Sequence, residues 1–171
     1  KIVASNQKIA TARHAMQVLY FMLVVLALWY LLSNYIFADT KIVALAATLL
    51  FACHPIHTEV IANLKSRDEI FSMLFILLTL IFVFRYHDNK TAKNFAGILV
   101  AFALALLSKE YALLLPVIAA VAIILYRNKT IQDLRADWFY AMGLLRISFL
   151  YFRYSIIGNS SAKTMSDDLI N

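Results

Sequence analysis

From Ala15 to Phe37 the chain runs without a single Lys, Arg, His, Asp or Glu, and only Gln17, Ser33 and Asn34 interrupt its apolar character. A helix rises about 1.5 Å per residue and the hydrocarbon core of a bilayer needs roughly 20 apolar residues, so this stretch predicts a membrane-spanning helix. It is too long for the core of a signal peptide, and Ala38-Asp39-Thr40 after it lacks a small-x-small cleavage pattern, so the span is read as retained. The rest of the chain agrees with that solvent. Apolar residues make up 63% and charged residues 15%, and the mean hydropathy is +0.75, which describes a polytopic membrane protein and not a soluble domain.

Five further apolar segments follow: Ile42 to Cys53, Ile70 to Phe84, Phe95 to Leu107, Tyr111 to Tyr126, and Trp138 to Ile157. The predicted fold is all-α, a bundle of about six membrane helices, several of them short. Ile42 to Cys53 reaches only about 18 Å as a helix and cannot cross a ~30 Å core unaided. The polar motif after it therefore lies near or inside the membrane boundary. Polar groups persist at that depth only where protein or a water-filled cavity surrounds them, so a cavity open to one face is expected.

That motif is His54-Pro55-Ile56-His57-Thr58-Glu59, followed by Lys65-Ser66-Arg67-Asp68-Glu69. Pro55 disfavours helix at His54 and suits a first helical turn, which predicts a break at His54 and a new helix from Pro55. On that helix Glu59, Asn63, Ser66 and Arg67 share one face by i, i+4, i+7, i+8 spacing, while Val60, Ile61 and Leu64 cover another. Asp68 falls on the side of Ile61 and Leu64 and is expected to meet a neighbouring helix or an Arg. The plainer reading makes Glu59 with Arg67, or Lys65 with Glu69, surface ion pairs in the headgroup zone.

A second constellation, Leu107-Ser108-Lys109-Glu110-Tyr111 with Pro116 beyond it, separates two apolar runs and reads as a hairpin or as an interruption in one long helix. Phe95 to Tyr126 as one helix would reach about 48 Å, long for one crossing, which favours the hairpin. Lys109 is a cation suited to a phosphate with Glu110 as its neighbour; the alternative is an interfacial lysine snorkelling to water. Arg146 and Arg153, seven residues apart, share a helix face and present two guanidinium forks suited to an anionic headgroup or phosphate. Trp29-Tyr30, Trp138-Phe139-Tyr140 and Tyr151-Phe152-Tyr154 read as packing or interfacial residues. The net charge of +6 is dispersed among connections and forms no basic stripe, so no nucleic-acid partner is expected. Lone Cys53 excludes an internal disulfide and a Cys-based zinc site.

Leu50-Phe51-Ala52-Cys53-His54-Pro55-Ile56-His57-Thr58-Glu59, then Arg67-Asp68, then Ala105-Leu106-Leu107-Ser108-Lys109-Glu110 with Pro116, together resemble the polytopic GT-C glycosyltransferases. The nearest likeness is to the transmembrane O-mannosyltransferases that carry C-terminal tetratricopeptide repeats, and to their bacterial relatives. Leu150-Tyr151-Phe152-Arg153-Tyr154, running on to Asp167-Asp168-Leu169-Ile170-Asn171, resembles the span and the start of the large external loop that follow in these proteins. Lys65-Ser66-Arg67-Asp68 departs from the Gly-Arg-Ala-Asp form of animal members.

The resemblance implies transfer of a sugar from a polyprenyl-phosphate donor to an acceptor protein hydroxyl or glycan, on the non-cytoplasmic face, with no nucleotide sugar, no cofactor and no metal. It implies an integral multi-pass protein of the bacterial inner membrane or the endoplasmic reticulum. Residues 1–171 would then be a partial GT-C-like domain, with the first span, the first external loop that carries the family's catalytic acid, and the C-terminal region missing. His54, His57 and Glu59 would shape the polar cavity near the donor, with Glu59 a possible base. Arg67 and Asp68 would form an orienting pair. Lys109 with its neighbour Glu110, Arg153 and Arg146 would serve the lipid phosphate. Family topology would place the His-Pro motif, Ser108 to Glu110 and the tail outside, and Arg85 to Asn94 and Arg127 to Asp137 inside, where their six Lys and Arg suit the positive-inside rule. Two other classes use the same residues. A carrier or flippase would bind lipid phosphate without chemistry. A metal-dependent membrane protein would use His54, His57 and Glu59, though no His-Glu-x-x-His and no third nearby His supports it.

Overall fold

The computed structural model describes residues 2–63, 66–127 and 137–170. Its elements are α1 (Ile2–Leu31), continued by a π-helical turn (Leu32–Ile36), then α2 (Lys41–Ala52), α3 (Ile56–Ala62), α4 (Arg67–Asp88), α5 (Ala92–Ser108), a 3-10 turn (Glu110–Leu114) leading into α6 (Leu115–Arg127), and α7 (Asp137–Ile170). Each of the six apolar segments forms a helix, and no strand occurs among the described residues. Thr11–Ile36, Arg67–Asp88 and Glu110–Arg127 are long and apolar enough to cross a membrane, whereas Lys41–Ala52 and Ala92–Ser108 are shorter.

Two ion pairs fix the direction of the later helices against α4. Asp68 at its start pairs with Lys109, just past the end of α5, at 3.0 Å. Asp88 at its end pairs with Arg127, the last residue of α6, at 2.8 Å. So α5 runs back along α4 and α6 returns beside it, which makes the Lys109 region a hairpin and not an interrupted helix. The reversal needs no glycine: Lys109 is extended, with φ −154° and ψ 145°, and the 3-10 turn completes it. Helix α1 runs parallel to α4, since Gln17 meets Arg67 at one end and Tyr30 meets Arg85 at the other. The bundle thus has a head, marked by Asp68 and Lys109, and a base, marked by Asp88 and Arg127.

Helix α4 is the hub, packed most extensively on α5 and next on α1. Asn89-Lys90-Thr91 joins α4 to α5, and Thr91 caps α5 by accepting from the Asn94 N–H at 3.4 Å. Asn94 Nδ2 donates back to the carbonyls of Asn89, at 3.0 Å, and Arg85, at 3.3 Å. A Cβ at Gly97 would lie 2.7 Å from the Phe82 ring, so the closeness of α5 to α4 depends on that glycine. Phe84, Phe102, Ile98, Trp138 and Met142 fill the core. Ile42, Leu50, Leu107, Leu125, Leu144 and Tyr151 stay outside it. In a bilayer such side chains face lipid, and it is packing between helices rather than escape from water that holds the bundle together.

Two expectations are corrected. The helix from Pro55 does not run through to Arg67; it ends at Ala62, Asn63 turns extended with φ −91° and ψ 110°, and a new helix starts at Arg67. The tail beyond Ile157, expected to open an external loop, continues as helix to Ile170. It holds no proline to stop it, although Gly158, Asn159, Ser160 and Ser161 are weak helix formers.

Candidate functional site at the head of the bundle

A short α2 recesses the His-Pro motif into the head. Phe51, near the end of α2, stacks on Phe21 with ring centroids 6.2 Å apart, and Phe21 lies ten residues inside the span that starts at Thr11. The chain therefore emerges from α2 below the head rather than above it. His54 breaks the helix, and Thr58 Oγ1 donates to the Pro55 carbonyl at 2.6 Å to anchor the first turn of α3. Helix α3 then contributes Ile56, His57, Glu59 and Val60 to the wall of a cavity of about 440 Å³.

Phe21, Val24, Phe51, Ile70 and Met73 give this cavity an apolar wall, and His57, Glu59, Ser66, Glu69 and Tyr111 give it polar groups. His57 packs on Phe51 at 4.4 Å and on Phe21 at 5.2 Å between ring centroids. Burial, reinforced by the neighbouring His54, pushes its imidazole below the ordinary histidine value, so it is neutral at pH 7 and can donate from one nitrogen and accept at the other. His54 is exposed, and its Nδ1 accepts from the Ile56 N–H at 3.3 Å. The Glu59 carboxylate faces the cavity and makes no ion pair or hydrogen bond with another described residue.

Lys109 stands at the rim, held by Asp68 at 3.0 Å and by Glu69 at 3.5 Å. The hydrogen bond from Lys109 to Asp68 lifts its ammonium above the ordinary lysine value, so it is fully charged at neutral pH. Arg153 pairs with Glu110 at 2.5 Å. Arg146 shares its face seven residues along, half-buried and with no ion-pair partner among the described residues. Arg67 and Asp68 do not pair with each other. Adjacent helical residues point apart, and Arg67 instead turns to α1, where its Nε donates to Gln17 Oε1 at 3.3 Å and its guanidinium lies 5.8 Å from the Tyr20 ring. The suggested pair of Glu59 with Arg67 is absent as well, and Lys65 lies outside the described residues.

The polar groups that sequence reasoning missed are Gln17, Glu69 and Tyr111, whereas Ser66, expected on the polar face with Glu59, does line the cavity beside it. Gln17 is fully buried, and its Nε2 donates to the carbonyls of Val60 at 3.1 Å and Asn63 at 3.4 Å. One amide thus clamps the end of α3 and the start of α4 to α1. Its signal was present: it is the one amide in the first half of an otherwise apolar span. Among the described residues no three His, Cys, Asp or Glu side chains converge as metal ligands. The head combines a cavity of ligand size, one unpaired carboxylate, a neutral imidazole and a charged amine at the rim. That set can seat a neutral polar group inside and an anionic group at the mouth.

Residues 6–154 match the family described as dolichyl-phosphate-mannose-protein mannosyltransferase. The chain is 30% identical over 145 residues to Protein O-mannosyl-transferase TMTC4 of Mus musculus, an alignment covering 67% of this chain and 20% of that protein. It is 30% identical over 122 residues to Protein O-mannosyl-transferase F38B6.6 of Caenorhabditis elegans, covering 71% of this chain and 16% of the relative. The chain thus spans about a fifth or less of the curated relatives it matches. No solved structure matches it.

Proposed function

Because the chain belongs to the dolichyl-phosphate-mannose-protein mannosyltransferase family, we propose that the whole protein transfers a sugar from a polyprenyl-phosphate donor to a hydroxyl of an acceptor protein, on the non-cytoplasmic face, and that the head cavity is where this region receives the donor. The observation that carries the proposal is the recessed cavity with Glu59 unpaired inside it and Lys109 at its rim. In the transfer the acceptor oxygen bonds to the anomeric carbon while the bond from that carbon to the phosphate oxygen breaks. The hydroxyl proton goes to a base and the electron pair leaves with the lipid phosphate.

Each head residue suits one part of that event. Neutral His57 and the Glu59 carboxylate hydrogen-bond sugar hydroxyls, and Glu59 has the chemistry of a base. Lys109 and Arg153 stabilise charge gathering on the departing phosphate, and both are already paired, so the phosphate takes the place of Asp68 or Glu69 on one and of Glu110 on the other. Arg146 lies about 10 Å deeper along α7 and follows the phosphate less directly. On this reading the head lies outside and the base, with Arg85 and Arg127, in the cytoplasm, as the positive-inside rule favours.

The test expresses the full-length coding chain in membranes and measures sugar release from a panel of polyprenyl-phosphate monosaccharides, with Glu59→Gln and Lys109→Ala beside the parent. The expected result is turnover by the parent and a loss of about a hundredfold in each variant. Donor binding without turnover across a broad acceptor panel would replace the transferase with a carrier.

A further inference from the structure

The base of the bundle holds a second cavity, of about 240 Å³, bounded by Tyr86, Lys90, Thr91, Ala92, Phe95 and Asp137. It lies where α4 ends, α5 begins and α7 starts, at the opposite end from the head. We infer that this pocket takes a headgroup carrying a phosphate and a primary ammonium together, the phosphoethanolamine of a membrane phospholipid.

The first observation is its charge. Lys90 and Asp137 lie on one small cavity with opposite signs, yet neither pairs with the other or with any described residue, although Arg127 and Asp88 close by have found each other at 2.8 Å. A purely anionic ligand would meet the Asp137 carboxylate and a purely cationic one would meet Lys90. A ligand with both charges satisfies both walls.

The second observation is Tyr86. The residue is nine-tenths buried and its ring lies 5.7 Å from Phe95, whereas its hydroxyl keeps access to solvent and makes no hydrogen bond with any described residue. The cavity it lines is the space from which a partner can come. A primary ammonium donates to that oxygen and to Asp137 at once, which a quaternary ammonium cannot do.

The third is the start of α5. The N–H groups of Ala92 and Lys93 precede any intrahelical acceptor and mark the positive end of the helix dipole, so together with Lys90 they seat a phosphate. Ala92 is part of the cavity wall. Depth and size agree. The Arg67–Asp88 span ends two residues after Tyr86, and the end of an apolar span is where a bilayer's headgroups are expected. Phosphoethanolamine has eight non-hydrogen atoms, which at no more than the ~30 Å³ share of a water each fit the volume.

The test purifies the full-length protein in detergent and measures lipid retention by native mass spectrometry with phosphatidylethanolamine, phosphatidylglycerol and phosphatidylcholine in equal amounts. Phosphatidylethanolamine is expected to be retained above both others. Asp137→Asn should lower its retention about tenfold, to the level of phosphatidylglycerol, and Lys90→Gln should lower retention of all three. Lys90 and Asp137 are exposed, so neither change threatens the fold. Equal retention of the three lipids, or no effect of Asp137→Asn, would show that Lys90 and Asp137 serve each other through water and would overturn the inference. Free phosphoethanolamine that displaces the lipid at equal concentration would overturn the lipid as the source of the headgroup.

Discussion

The head of this bundle and the Arg85 and Arg127 side of its base are made from the same residue types and do opposite things. At the base, Arg127 reaches Asp88 and lies 5.8 Å from both the Tyr35 and Phe84 rings, which themselves stack at 5.0 Å. Arg85 donates to the Tyr30 hydroxyl at 2.8 Å, and a three-residue turn with its own side-chain bonds closes the corner. Charge there ties α1, α4 and α6 together. At the head the backbone breaks three times, at His54, at Asn63 and at Lys109. Charges there pair across the rim, around a space that remains open. The difference teaches that charge beside these helices has two uses: under the Tyr30, Tyr35 and Phe84 rings it ties helices together, and around the broken segment at α3 it lines a cavity.

Replacing Gln17 by Leu attacks the head from beneath. It leaves the Val60 and Asn63 carbonyls and the Arg67 guanidinium without their shared partner, at a cost of about 1–3 kcal/mol. The expected outcome is a lower melting temperature together with lost donor binding, because α3 is released from α1. A fall in stability with donor binding intact would show that the clamp does not shape the cavity. Arg127→Leu attacks the base and removes one half-exposed pair with its ring contacts, worth about 1 kcal/mol. Here thermal stability should fall while sugar release per folded molecule stays at the parental rate. An equal loss of turnover would erase the division between the two ends.

The smallest expected effect is a pH dependence from His57. Its folded-state affinity for a proton is lowered by burial, while the unfolded side chain titrates near ~6.5. Between the folded and unfolded values the unfolded state binds more protons, so stability rises with pH there and is lost as pH falls from about 6.5 through the folded value. A thermal melt series from pH 8 downward should show that fall in the parent, and His57→Gln should flatten it. An unchanged slope in the variant would mean that the imidazole is not sealed against Phe51 and Phe21.

The helices were legible because their cause is local. Six apolar runs, the stop imposed by Pro55 and the excessive length of Phe95 to Tyr126 each depend on neighbouring residues alone, and all three readings agree with the structure. The end of α3 was not legible, because its cause lies 43 to 46 residues away: Gln17 engages the very carbonyls that a continuing helix would have used. Periodicity placed Glu59, Asn63, Ser66 and Arg67 on one face, and a single distant amide dissolved that face. The partner of Asp68 was visible only as a neighbouring element, which proved to be the Lys109 turn. Glu69 and Tyr111 reach the cavity only once α4 and the hairpin are packed together.

Ile56 lines the head cavity from an exposed position, 65% accessible, so a larger side chain there fills the mouth without disturbing the core. Binding of a labelled polyprenyl-phosphate sugar to the full-length Ile56→Trp protein, beside the parent, tests the central claim most directly. Loss of binding with an unchanged melting temperature is the result predicted for a donor site at the head. Binding at the parental affinity would place the donor elsewhere and contradict it.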